Sequence, residues 1–151
     1  MFDIDFQAID GPGEWFFYQN SRFDQKSSEW VFDEPEKDAK VRIRSMRALV
    51  QEKLAKREKV AEHVLNPKTR AMERISYYKE QPVDQAQKEA DDIWDYVITG
   101  IEGFKNKATG EIIACTRENK LKLMKIPAFD RFIGRCLRIL EGAEEQVEKN
   151  L

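Results

Sequence analysis

The feature that most constrains this chain is a seven-residue stretch, Ala39 to Ser45, in which apolar and charged residues alternate strictly. Val41 and Ile43 fall on one side, and Lys40, Arg42 and Arg44 on the other. A period of two marks a strand with one dry face and one wet face. Such a strand needs neighbours along its edges and a layer over its apolar side. Two runs upstream, Glu14 to Gln19 and Glu29 to Phe32, are rich in aromatic and β-branched residues. The polar stretch Asn20 to Ser28 separates them, which reads as a hairpin with a long loop. Ahead of both, Gly11-Pro12-Gly13 is a turn signal, so regular structure is expected from Glu14 onward. The three runs predict a small antiparallel β-meander within residues 1–45.

The layer over that sheet is expected from the second half of the chain. After Pro82, the residues Ala86, Ala90, Ile93, Trp94, Val97, Ile98 and Ile101 recur at helical spacing, with Asp84 placed to favour the helix dipole. This predicts an amphipathic helix ending near Gly100. The chain then turns through Gly103-Phe104 and makes a tight polar turn over Lys105 to Gly110 before the short apolar run Glu111 to Ala114. Thr116 is placed as an N-cap with Glu118 in the first turn, starting a helix that buries Leu121, Leu123 and Met124. Pro127 opens a further helix whose apolar face is Phe129, Phe132, Ile133, Cys136, Leu137, Ile139 and Leu140. Gly142 is expected to end or weaken it, leaving residues 143–151 as a frayed tail.

Residues 46–80 read two ways. Met46 to Leu65 has helical composition with an imperfect apolar stripe, and Asn66-Pro67-Lys68-Thr69 is a turn candidate. The runs Lys59 to Val64 and Met72 to Tyr78 fit either helical turns or a second hairpin. The length of 151 residues suits one domain. The expectation is therefore a single α+β domain, a small N-terminal antiparallel β-meander (1–45) packed on a helical C-terminal half (81–142), with the mixed segment 46–80 between them.

Chemistry is sparse. His63 is the only histidine, so no metal site of His and Cys can be assembled with the two distant cysteines Cys115 and Cys136. Both cysteines have apolar neighbours and are expected as buried thiols rather than a disulfide. No nucleophile signature surrounds Ser45, Ser76, Cys115 or Cys136, and no phosphate-binding glycine loop is present. Asp91, Asp92 and Asp95 share part of a helix surface and read as a solvated face rather than a cation site. No catalytic residue, cofactor or metal is predicted. No run approaches the roughly 20 apolar residues of a membrane span, and the acidic opening MFDIDF lacks the basic flank of a secretory signal. A cytoplasmic protein without membrane contact is expected.

Binding is the remaining class. Net charge is −7 over residues 1–39, +7 over 40–80 and −2 over 81–151. An acidic segment followed by a basic one is either self-complementary or a footprint for an anionic partner. Under the second reading, segment 40–59 binds nucleic acid, with Arg42, Arg44 and Arg47 on phosphates. Trp15, Phe16, Phe17, Tyr18, Trp30 and Phe32 are six of the seven rings within eighteen residues, more than one face of a three-stranded sheet needs. Some are then exposed as anchors for a partner protein, or they cap the helical core.

Residues 92–133 carry a resemblance. The succession DIWDYVITGIEGF, the turn KNKATGEIIACT and then RENKLKLMKIPAFDRFI is similar to tail-assembly-chaperone-like proteins of phages and prophages. Gly103-Phe104, Gly110, Ile112-Ile113, Thr116, Glu118-Asn119-Lys120, Leu123-Met124, Pro127 and Phe129 occupy the family's junction, turn, cap and helix-start positions. The resemblance implies a non-enzymatic role: binding an aggregation-prone tail component, such as the tape-measure protein, through exposed apolar surface. Homo-oligomerisation is a further option. Trp94, Ile101, Phe104, Leu123, Met124 and Phe129 are its candidates for the binding groove, or for the core.

Overall fold

The structure is a computed structural model and describes residues 1–4, 6, 11–56, 59–78 and 82–149. It is α+β, with the strands antiparallel. The alternating stretch lies at its centre: Val41 and Ile43 have no exposed surface, and their strand, β4 (Lys40–Ile43), is the middle of a three-stranded sheet. β1 (Glu14–Phe17) pairs on one side, setting Phe16 opposite Val41. β7 (Ile98–Glu102) pairs on the other, setting Ile101 opposite Val41 and Ile98 opposite Ile43.

Ile98 and Ile101 are three residues apart, yet both face the dry side. The register slips between Arg42 and Ile43, so Thr99 is an extra residue in β7. Its hydroxyl donates to the Pro12 carbonyl at 2.5 Å, with the Arg42 carbonyl 3.3 Å away. This bulge also explains a difference from expectation. Helix α2 (Val83–Val97) stops before Ile98 rather than at Gly100. The spacing that reads as one more helical turn is that of a bulged strand.

Helix α4 (Pro127–Lys149) covers the sheet with Phe129, Phe132, Ile133, Cys136 and Leu137, all buried. Val97 of α2 and Leu123 of α3 (Arg117–Met124) close the same core. Tyr18, just past β1, packs at 5.4, 6.1 and 5.1 Å from the rings of Phe104, Phe129 and Phe132. Burial raises its hydroxyl pKa above the usual value of 10.0. Each large apolar side chain fully removed from water contributes about 1.5–3 kcal/mol, so this layer carries most of the fold's stability.

Strand pairing departs from a simple meander. β1 pairs directly with β4, while β2 (Ser21–Asp24) and β3 (Glu29–Phe32) form their own hairpin. β2 lies inside the polar stretch read as loop, because three of its four residues, Ser21, Arg22 and Asp24, are polar. Residues 46–80 hold both alternatives in series: helix α1 (Arg47–Lys56), then a hairpin of β5 (Lys59–Leu65) and β6 (Met72–Tyr78). Asn66 closes that hairpin, its side-chain oxygen accepting from the Lys68 N–H at 2.9 Å and its carbonyl from the Arg70 N–H at 2.7 Å. α4 runs through Gly142 to Lys149 rather than ending at the glycine. Ala143, Glu144, Glu145 and Gln146 are good helix formers, enough to carry one glycine costing about 1 kcal/mol. Asn150 and Leu151 lie outside the described residues. No described helix is long and apolar enough to cross a membrane.

Candidate functional site

Of the six residues singled out as groove or core, three lie in the core and three pack partly buried against it. Ile101, Leu123 and Phe129 are buried, and Trp94, Phe104 and Met124 pack half-buried against them. Exposed apolar surface lies elsewhere, on the aromatic N-terminal strands. Trp15 and Phe17 alternate with Phe16 along β1, so they stand on the sheet face away from α4. On the second hairpin Phe23 and Trp30 are cross-strand partners, their rings 5.5 Å apart and edge-on.

Two arginines one turn apart on α4 reach the rings of β3. Arg131 stacks on Trp30, with its guanidinium carbon 3.5 Å from the ring centroid, and donates to the Ser21 hydroxyl at 2.8 Å. Arg135 lies 5.2 Å over Phe32 and donates to the side-chain oxygen of Gln19. Where β1, the Pro35 loop and α4 meet, Trp15, Phe16, Phe17, Gln19, Pro35, Phe132 and Arg135 line an open notch of about 280 Å³. A strip thus runs from Trp15 and Phe17, past the notch and Arg135, to Trp30 and Phe23. Trp15, Phe17, Phe23 and Trp30 remain 37%, 49%, 50% and 49% exposed along it. The density of rings over residues 15–32 pointed to this region; which rings stay in water depends on α4 covering only one sheet face.

The basic strand is largely spent inside the molecule. Arg44 donates to the Tyr96 carbonyl at 2.7 Å and lies 3.6 Å over that residue's ring. Arg42 reaches the Gly13 carbonyl at 3.4 Å and flanks Trp15 at 5.8 Å. Lys40 sits 4.7 Å over the Trp15 ring and pairs with Glu102 at 3.5 Å. The ring they flank closely approaches Gly100, where a Cβ would stand 2.7 Å from the indole. Arg47 opens α1 at the surface.

No family model, curated protein or solved structure matches this chain. The site is therefore read from its own chemistry. Among the described residues no group of three His, Cys, Asp or Glu side chains is placed to hold a metal. The acidic face of α2 is a clamp on other helices. Asp92 takes Arg117 at 2.8 Å and Lys53 at 3.3 Å, and Asp95 takes Arg117 at 3.3 Å and Lys120 at 3.1 Å. The hydrogen bond from Arg117 holds the Asp92 carboxyl below its usual range of 3.8, against a smaller opposing effect of burial. Lys120 is buried, its ammonium also donating to the Asp95 carbonyl at 2.9 Å. His63 is exposed. Of the two cysteines expected to be buried, Cys115 is exposed because it lies in the segment leading to the Thr116 cap, beside α3 rather than beneath it. Cys136 is buried in α4, and desolvation pushes its thiol pKa up to about 12.

Proposed function

We propose that the protein is a non-enzymatic binding protein of phage or prophage tail assembly, covering an aggregation-prone tail component such as the tape-measure protein. The observation that carries the binding part is the strip of half-exposed rings on a body whose core is already closed. Trp15 and Trp30, flanked by cationic side chains, lose little entropy on contact, and with Phe17 and Phe23 they present large apolar area, which suits anchors at a protein interface. The notch falls just below the roughly 300–1,000 Å³ typical of small-molecule sites. It suits an apolar side chain of the partner, with Arg135 at its rim. The tail-assembly setting rests on the resemblance over residues 92–133.

Nucleic-acid binding by segment 40–59 is the alternative and has less support, because Arg42 and Arg44 already have internal partners. The test is co-purification of the tagged full chain with the tape-measure protein of its own tail module, washed at low and high salt. Retention at high salt is expected, with at least about tenfold weaker binding in a Phe17→Ser/Phe23→Ser variant. Retention unchanged in that variant would overturn the assignment of the strip. Recovery of nucleic acid alone, released by salt, would overturn the reading itself.

A further inference from the structure

Among the described residues, neither strand of the β5–β6 hairpin pairs with another sheet. Directly opposed residues of an antiparallel pair point to the same side. The register therefore places Ala61, His63, Leu65, Met72, Arg74 and Ser76 on one face, with Glu62, Val64, Glu73, Ile75 and Tyr77 on the other. The first face is basic, with Arg74 directly across from His63. The second carries two carboxylates. Glu62 accepts from the Tyr77 hydroxyl at 2.6 Å and Glu73 from the Asn66 amide at 2.7 Å, both neutral donors.

Apolar groups are exposed on both sides: Leu65 and Met72 on the basic face, Val64, Ile75 and Tyr77 on the acidic one. A two-stranded hairpin open on both faces is marginal in water by itself. Like charges gathered on one face weaken it further.

We infer that this arm docks on the arm of a second copy of the chain, the Glu62 and Glu73 face of one against the Arg74 and His63 face of the next. Charge complementarity selects that occupant, since the two faces are matched to each other. Either face against its own copy would bring like charges together. The contact is therefore heterologous: each copy offers one face to one neighbour and the opposite face to another, and the assembly is a ring or chain rather than a closed dimer. Every junction covers Val64, Ile75 and Tyr77 of one arm with Leu65 and Met72 of the next. The inference stands independently of the tail-assembly reading, since the aromatic strip is not used.

Sedimentation velocity of the full chain at rising concentration tests it. At low salt the wild type is expected to form species larger than a dimer, and these dissociate as ionic strength rises. A Glu62→Lys/Glu73→Lys variant and an Arg74→Glu variant should each associate at least about tenfold more weakly, with unchanged circular dichroism showing that the body is folded. Each variant alone presents two faces of one sign, so mixing them pairs opposite faces and restores the larger species. A wild type that stays monomeric throughout would overturn the inference while leaving the co-purification test of the strip untouched. Association indifferent to the reversals, or a mixture that stays monomeric, would also overturn it. Assembly that disappears on nuclease treatment would overturn it in favour of a polyanion as the arm's occupant.

Discussion

β4 and the β5–β6 arm are both antiparallel strand structures of apolar and charged residues, yet one lies at the centre of the core and the other in water. The difference is in how the two residue kinds are sorted. In β4 the apolar residues share one face and the cations the other, so a single helix can dry one side while the other stays solvated. In the arm each face mixes both kinds: Leu65 and Met72 lie beside Arg74, and Val64 and Ile75 beside Glu62 and Glu73. No layer of the same chain can bury such a face without burying charge, which is costly unless the charge is paired. Only a surface carrying the opposite charge can cover it. The contrast teaches that strand character decides local conformation, whereas the sorting of residues between faces decides whether the strand becomes core or interface.

Substitutions sharpen that contrast, beginning with the body. Phe132 is fully buried and packs beside Tyr18 and Phe129, so Phe132→Ala should cost about 3–5 kcal/mol in urea unfolding. Gly103→Ala should follow. Gly103 has φ +83°, and a Cβ there would stand 1.8 Å from the Asp38 carbonyl oxygen. The left-handed conformation alone costs a non-glycine residue about 1–3 kcal/mol, and the clash adds to it, lowering the thermal midpoint.

The Asp92 clamp should show a smaller, pH-dependent effect. Its carboxyl titrates lower in the folded chain than in the unfolded one, so its stabilisation is fully present above the usual carboxylate range. As pH falls through the lowered folded value that contribution disappears. Thermal midpoints of wild type and Asp92→Asn should converge in acid and separate near neutrality; curves parallel at every pH would remove the clamp from the ledger of stabilising contacts. Smallest of all is Ile75→Ser in the arm, expected to leave unfolding of the monomer within about 0.5 kcal/mol of wild type. A loss comparable to that of Phe132→Ala would mean that the arm belongs to the body, and the comparison would fail.

Much of this fold is legible in the residues. The alternation at Ala39 to Ser45, the stripe along α4 apart from Ile139, which is exposed, the Thr116 cap and the Pro127 helix start follow from local periodicity and backbone chemistry, and each stands where it is expected. Thr116 does accept from the Asn119 N–H, at 3.3 Å. What could not be read was set by distant partners. Ile98 to Glu102 has spacing that suits a helix, and it becomes a strand because β4 offers an edge and Thr99 can bulge. β2 is too polar to signal a strand and forms because Phe23 and Trp30 meet across the hairpin and Arg131 stacks on the latter. The candidate surface was half legible: seven rings in eighteen residues exceed what a sheet face can bury, but nothing local says which of them stay in water.

The sequence by itself determined the α+β class, the dry faces of β4 and α4, and the caps and turns that bound most elements. These depend on side-chain period and backbone chemistry, which act over a few residues. Tertiary structure alone decided that Arg42 and Arg44 find carbonyl partners within the fold, that Trp94, Phe104 and Met124 pack against the core, and which of the N-terminal rings stay exposed. Those outcomes depend on which surfaces compete for the same cover. That competition is settled by packing between residues tens of positions apart, beyond the reach of any local pattern.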